Sequence, residues 1–207
     1  CPRRMRRIVL ASSNPGKLAE LRALLAGHGC EVVSQDELGI AAPLEDGDDF
    51  RANALIKARH AAAASGLPAI ADDSGLEVDA LGGRPGVHSA RYSGPAASAA
   101  DNNQKLLAEL AEVPPERRSA RFRCVLACVR DAGDPAPLIA EGAWEGWIAT
   151  VPRGAGGFGY DPLFIGVADG RTAAELTAAE KNRLSHRGQA LAALGGRLPE
   201  YLATARS

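Results

Sequence analysis

Ser12-Ser13-Asn14-Pro15-Gly16-Lys17 crowds hydroxyls, an amide and an ammonium just after the β-favouring run Ile8-Val9-Leu10. A strand-to-helix turn of this kind leaves backbone N–H groups open at a helix start, so it suits a polyphosphate. It is not a Walker A loop, because the first glycine of G-x-x-x-x-G-K-[ST] is absent and Leu18 follows the lysine. An ordinary capped turn has the same composition. Further along, Asp72-Asp73-Ser74-Gly75 places adjacent carboxylates after a strand-like run at residues 68–71, and Glu45 lies on an earlier loop. The adjacent acids Asp72 and Asp73 are expected at a strand end, where with Glu45 as a third carboxylate they could hold Mg²⁺ through one or two oxygens and one of them could orient water. Asp-Asp-Ser-Gly is also a common turn composition.

Two later segments add donors and an aromatic face. Residues 154–159 spell G-x-G-x-x-G, but they follow a β-hairpin pattern and run into Tyr160-Asp161-Pro162, where a dinucleotide fold would need a helix. The Rossmann reading therefore fails. A glycine loop carrying Phe158, Gly159 and Tyr160 instead lets backbone approach a base and offers it an aromatic ring. Ser185-His186-Arg187-Gly188 supplies adjacent donors after a turn containing Lys181, although a solvated charged face would look alike. Of the 24 lysines and arginines only four are lysines, and Lys17, Lys57 and Lys181 all fall in or beside these segments. A compact ammonium fits beside phosphate oxygens where a planar guanidinium needs more room. Lys105 is left on an ordinary helix, and Trp144 and Trp147 read as packing or interface residues.

The elements that must position these groups follow from periodicity. A strand at residues 7–12 feeds a helix capped by Asn14 with Pro15 at its first position, and Leu18, Leu21, Leu24 and Leu25 recur at helical spacing up to a stop at Gly27 and Gly29. A second short strand at residues 31–34 completes a β-α-β opening. The next helix spans residues 49–65 and stops at Gly66, and a third spans 101–112 and is closed by Pro114-Pro115. Residues 119–130 alternate, with Ala120, Phe122, Cys124, Leu126 and Cys128 on one face, and 138–151 return as the second arm of an antiparallel hairpin. A short strand at 163–165 precedes two capping boxes, Thr172 with Glu175 and Thr177 with Glu180. The expected fold is α/β, a mixed twisted central sheet with flanking helices, with two lobes around a nucleotide-binding cleft and a single domain over residues 5–207.

At 207 residues and 46% hydrophobic the chain can bury a core without disulfides or structural metal. A net charge of −1 gives no reason to expect a nucleic-acid partner. Cys1, Cys30, Cys124 and Cys128 show no zinc or dithiol spacing, and Cys124 and Cys128 read as small core residues. No apolar run approaches the ~20 residues of a membrane helix, so no membrane partner and a cytoplasmic location are expected. Met5 is the expected natural start, with Cys1 to Arg4 as a remnant before it.

Taken in order, these segments resemble the inosine triphosphate pyrophosphatase family, over residues 8 to about 194. The residues that carry the likeness are 12–17, then Asn53, Ala54 and Lys57, then 71–76, Ser89-Ala90-Arg91-Tyr92-Ser93-Gly94, Gly157-Phe158-Gly159-Tyr160-Asp161-Pro162 and Ser185-His186-Arg187. The resemblance implies that Asp73 is the proton acceptor and a metal carboxylate. It implies that Ser12, Ser13, Asn14, Pro15, Gly16, Lys17, Lys57, Ser74, Phe158, Gly159, Tyr160, Asp161, Lys181, His186 and Arg187 line a nucleoside triphosphate. It further implies Mg²⁺, a homodimer, and hydrolysis of deaminated purine triphosphates (dITP/ITP, XTP/dXTP) to the monophosphate and pyrophosphate. Two positions depart from the family: Leu44 precedes Glu45 where a second glutamate is frequent, and Ala52 replaces a glutamate before Asn53. A pyrophosphatase for modified pyrimidine or methylated nucleotides, and a non-catalytic nucleotide sensor, are the alternatives.

Overall fold

A computed structural model describes residues 6–25, 30–168 and 170–203. The Met5 start and the stop at Gly27 and Gly29 lie outside the described residues. The β-α-β opening forms as β1 (Arg6–Leu10), α1 (Pro15–Leu25) and β2 (Cys30–Ser34), with β2 parallel to β1. Asn14 caps α1: its Oδ1 accepts the N–H of Gly16 at 2.9 Å and of Lys17 at 3.3 Å. α2 (Phe50–Ser65) starts where the Asp49 side chain accepts the Ala52 N–H, and it ends at Gly66 with φ 67°. Its buried stripe of Phe50, Ala54, Ala58 and Ala61 recurs at helical spacing, and the small alanines let the helix lie close to its support.

The six-stranded sheet has the order β2-β1-β3-β4-β5-β6, with β3 (Ala69–Val78), β4 (Ser119–Val129), β5 (Leu138–Ile148) and β6 (Phe164–Gly166). β1 pairs in parallel with β2 and β3, while β5 pairs antiparallel with β6, so the sheet is mixed and the fold is α/β. The chain packs as two compact units. The first holds residues up to Asp73, Val125–Glu141 and the chain from Ala190; the second holds Ser74–Cys124 and Gly142–Gln189. Ile8, Val9, Leu10, Ile70, Val125, Leu194 and Leu198 are buried in the first. The second is built on a cluster that includes Leu76, Leu106, Leu110, Phe122, Trp144, Tyr160, Leu163 and Phe164.

Four sequence expectations shift. The acids of residues 72–75 do not end a strand, because β3 runs straight through them to Val78. Leu76 and Val78 are fully buried, and that apolar burial outweighs the local turn preference of Asp-Ser-Gly. β4 alternates only to Cys124; from Val125 to Val129 both faces are buried, as expected of a strand covered on two sides. α3 (Ala99–Glu109) ends before residue 112, and its start is a capping box between Ser98 and Asp101 that the sequence reading did not single out. Both C-terminal capping boxes form, but the Thr172 box opens only a 3-10 turn, whereas Thr177 opens α4 (Ala178–Leu184). α5 (His186–Gly195) and α6 (Leu198–Ala203) follow. Cys124 and Cys128 are fully buried core thiols.

The turn between β4 and β5 is tied to α6 through Asp134. Its carboxylate receives Arg130 Nη2 at 2.7 Å, the Ala136 N–H at 3.0 Å and the Tyr201 hydroxyl. Truncation would take a carboxylate partner from the Arg130 guanidinium and from the Tyr201 hydroxyl, which also donates to Cys128 O at 3.0 Å. Asp134→Ala is expected to lower unfolding free energy by roughly 1–3 kcal/mol, and Tyr201→Phe by about 1 kcal/mol, measured by urea titration. A loss below about 1 kcal/mol for Asp134→Ala would reduce this network to an ordinary surface pair.

Candidate active site

In the first unit, Leu10 of β1 stands beside Ile70 of β3, and β1 ends there. β3 continues, so Ala71, Asp72 and Asp73 project past the carboxyl end of the parallel pair, the side of open α/β sheets on which ligands gather. Asp72 is 3% exposed and meets Lys17 Nζ at 2.7 Å. Asp73 Oδ1 accepts Lys57 Nζ at 2.7 Å, and the same ammonium reaches Glu45 Oε2 at 3.1 Å. Successive strand residues point to opposite faces, so the two carboxylates draw their cations from two different helices. Asp73 Oδ2 is buried and has no hydrogen-bond partner among the described residues.

Burial pushes the Asp73 carboxyl above the usual aspartate range; Glu45 and Asp72 add to this, against the opposing pull of Lys57. For Lys57, burial disfavours the charge, but Asp73, Asp72 and Glu45 outweigh it and hold its pKa above the ordinary lysine value. Lys57 thus stays an ammonium between two carboxylates. Its helix position follows from Asn53, four residues earlier on the same face. Asn53 is itself buried, and its Oδ1 accepts the Gly47 N–H at 2.8 Å, which pins the loop that carries Glu45. Leu44 is among the most exposed apolar side chains, so it takes no part in this group.

The turn at residues 12–17 is assembled differently from the sequence expectation of open backbone donors. Asn14 occupies the N–H groups of Gly16 and Lys17, Ser12 Oγ accepts the Asn14 N–H at 3.1 Å, and the Ser12 N–H goes to Leu10 O at 2.9 Å. The helix cap spends these donors internally, because a side-chain oxygen two residues away competes with any ligand for them. What the turn presents is the Lys17 ammonium and the hydroxyls. Ser13 Oγ is oriented by Asp36 Oδ1 at 2.9 Å and by Gln35 Nε2 at 3.2 Å, two supporting residues that no local motif announced.

In the second unit, Ser74 follows Asp73 on β3, half-buried. The glycine loop is organised by Asp161, whose carboxylate accepts the Phe158 N–H at 2.7 Å and pairs with Lys181. Gly157 allows this: at φ 73° it adopts a conformation L side chains avoid, and a Cβ there would lie 2.1 Å from Asp161 Oδ2. Gly159 O accepts Asn103 Nδ2 at 2.9 Å. Phe158 is 55% exposed, with Lys181 Nζ 4.6 Å and the Arg187 guanidinium 5.7 Å from its ring centre. Tyr160 corrects the sequence reading. It is 5% exposed, lies in the hydrophobic cluster and donates its hydroxyl to Ser89 O at 2.8 Å, so its ring braces the loop and only Phe158 offers a face. Ser185, His186 and Arg187 are not a solvated charged face either. All are buried, and they form the start of α5, where Ser185 Oγ accepts the Gly188 N–H at 3.2 Å.

The three lysines singled out by their scarcity each meet an aspartate: Lys17 with Asp72, Lys57 with Asp73, and Lys181 with Asp161. Lys105 lies on α3, the ordinary helix expected for it, donates to Tyr92 O at 2.7 Å and lies 4.4 Å from the Tyr92 ring centre. Among the described residues no three His, Cys, Asp or Glu side chains are grouped to hold a metal by themselves. The buried Asp73 Oδ2, with Glu45 alongside, instead suits a hard cation that takes one or two protein carboxylates and fills its remaining positions from water and phosphate.

An α/β sheet with paired acids at the carboxyl end of its parallel strands and lysines beside them defines a protein that handles a small phosphorylated ligand. Comparison with known proteins narrows this. The model of the Ham1 family matches residues 8–196. A dITP/XTP pyrophosphatase of Methylococcus capsulatus is 63% identical over 193 residues, covering 93% of this chain and 96% of that protein. A second, from Yersinia pseudotuberculosis, is 59% identical over 187 residues, covering 90% and 95% respectively. The solved structure of a HAM1 protein from Coxiella burnetii superposes with a TM-score of 0.91 at 51% identity, covering 95% of this chain and all of that one. The chain belongs to the Ham1 family.

The raised pKa of Asp73 has a stability consequence. The folded state holds this proton more tightly than the unfolded chain, so the contribution is present at low pH and is lost as pH rises through the folded-state value. Asp73→Asn cannot ionise. It is expected to gain stability relative to the wild type as pH rises above the ordinary aspartate value of ~3.9. Thermal unfolding of both proteins across that range tests this, and a difference that shrinks with rising pH would mean that Lys57 more than offsets the burial.

Proposed function

We propose that this chain hydrolyses deaminated purine nucleoside triphosphates, dITP/ITP and XTP/dXTP, to the monophosphate and pyrophosphate, and so removes them from the nucleotide pool. It would work in the cytoplasm as a homodimer, in keeping with the absence of any membrane-crossing helix among the described residues. Two relatives of about the same length carry the name dITP/XTP pyrophosphatase at 63% and 59% identity. The observation that carries the reading is Asp73, whose one oxygen is held by Lys57 while the other is buried and unbonded.

Asp73 and Glu45 would hold Mg²⁺, which when bound neutralises charge on the triphosphate. The chain's own residues do the rest. Asp73 accepts the proton of a water that attacks the α-phosphorus, and the bond to the pyrophosphate leaving group breaks. Lys17 and Lys57 bind phosphate oxygens, so catalysis is mainly placement and charge stabilisation. The base falls to Phe158 by stacking and to His186 and Arg187 by hydrogen bonding. Hypoxanthine and xanthine present a 6-oxo acceptor to these donors, whereas adenine presents a 6-amino donor that would leave both sides unpaired. Such a mismatch costs roughly 1–3 kcal/mol per buried group.

Asp73→Asn should cut kcat on dITP by more than about tenfold, or ~1.4 kcal/mol, with the fold retained. Because a base must be deprotonated to act, the acid limb of wild-type kcat/KM should lie above the ordinary aspartate pKa of ~3.9. Pyrophosphate release followed across pH tests both, and a variant that keeps full turnover removes Asp73 as the base. The base-reading step has its own test. Arg187→Ala should compress the dITP-to-dATP ratio of kcat/KM by at least about tenfold. Equal losses on both substrates would reassign Arg187 to a group they share.

A further inference from the structure

The imidazole of His186 does not sit alone at the start of α5. Its ring lies parallel to Phe122 of β4, with centres 4.8 Å apart and planes 18° apart. Phe122 is in turn held by Phe164 at 4.5 Å and stacked with Trp144 at 6.5 Å. Trp144 packs on Gly166, where a Cβ would come within 2.9 Å of the indole. His186 is therefore the outer ring of an aromatic column rooted in the hydrophobic cluster of the second unit.

We infer that Phe122 is a specificity-determining positioning residue, which fixes the plane of the His186 imidazole and so the direction of the donor it presents to the base. The inference rests on the base-reading role of His186 proposed above. Rotation about the bond to a planar ring is soft, with broad wells, so packing rather than torsional preference must set the ring's orientation. The N–H groups of an imidazole lie in its plane. A flat partner leaves the ring free only to flip, whereas a branched aliphatic partner of similar bulk lets it tilt. Hydrogen bonds weaken steeply as their angle closes, so a tilt degrades recognition of an acceptor without removing the donor. The signature is selective: the penalty falls on the substrate with the 6-oxo group and scarcely on one that never received the bond.

The test is a double-mutant cycle read as the dITP-to-dATP ratio of kcat/KM, using Phe122→Leu, Phe122→Tyr and His186→Ala in the full-length protein. Phe122→Leu should lower the ratio by about fivefold or more, mainly through KM for dITP, and Phe122→Tyr, which keeps the flat ring, should restore it. In the His186→Ala background Phe122→Leu should have no further effect on the ratio. A second readout needs no turnover: the ring protons of His186, assigned by their loss in His186→Ala, should lie upfield in the NMR spectrum and move downfield in Phe122→Leu. An unchanged ratio in Phe122→Leu, or a loss equal on dITP and dATP that Phe122→Tyr shares, overturns the inference while leaving base reading intact. A wild type that does not distinguish dITP from dATP fails the base-reading proposal itself, and the inference with it.

Discussion

Two successive carboxylates on a buried strand cannot both be carried without cations, and much of the first unit follows from meeting that demand at Asp72 and Asp73. Isolated charges in a low-dielectric interior cost several kcal/mol each even after relaxation. Because β3 alternates its side chains, a single cation cannot serve both acids. Lys17 must come from the first turn of α1 and Lys57 from the middle of α2, at 2.7 Å in each case. The helix starts are correspondingly well defined, with Asn14 capping one and Asp49 the other. The alanine stripe of α2 lets the helix lie close to the sheet, where it packs on β1.

Ion pairs of this kind are near break-even for stability, because desolvation offsets most of the Coulombic attraction. That balance makes them suited to exchange. In the proposed reaction a metal-bound triphosphate would bring anionic oxygens for Lys17 and Lys57 and positive charge for Asp73 and Glu45, so each group would trade one opposite charge for another and none would be left bare. Asp73 keeps a buried oxygen without a hydrogen bond even before exchange, and burial already raises its proton affinity. The same geometry that barely stabilises the resting protein therefore leaves the Asp73 carboxyl poised above its ordinary range. Lys181 and Asp161 repeat the pattern in the second unit, where the pair fixes the loop that carries Phe158.

Local signals were legible wherever the structure is locally determined. Asn14 and Pro15, Gly66, and the Thr172 and Thr177 boxes all name their elements from a few adjacent residues. Several misreadings share one cause, which is that burial overrides local composition, although the Ser98–Asp101 capping box that was missed is a local motif. Asp-Asp-Ser-Gly is a turn by composition but a strand once Leu76 and Val78 are buried. Tyr160 looks like a free aromatic beside Phe158 until Ser89, far away in sequence, claims its hydroxyl. For Ser185, His186 and Arg187, read as donors, a solvated charged face is the alternative, and their burial at the start of α5 removes it. The supporting residues Gln35, Asp36 and Asn53 have no motif at all, because their partners are fixed by tertiary contact. The scarcity of lysine in an arginine-rich chain was the exception, a compositional signal that found all three lysine–aspartate pairs without any knowledge of the partners.

The two units thus hold their functional groups by different physics. Around Asp72 and Asp73 the positions are set by charge, and charge is adaptable: an ammonium can follow a phosphate oxygen over some distance with little angular demand. Around His186 the positions are set by ring packing, which tolerates little displacement because interiors are close-packed. Each suits its task. Phosphates are common to every nucleoside triphosphate, so a site that grips them gains nothing from narrow geometry. In the proposed reading, telling a 6-oxo from a 6-amino group depends on the direction of the His186 and Arg187 donors, and direction is fixed by something rigid behind them. A column of aromatic side chains rooted in the core is such a support, whereas Phe158 is exposed with cations against its ring.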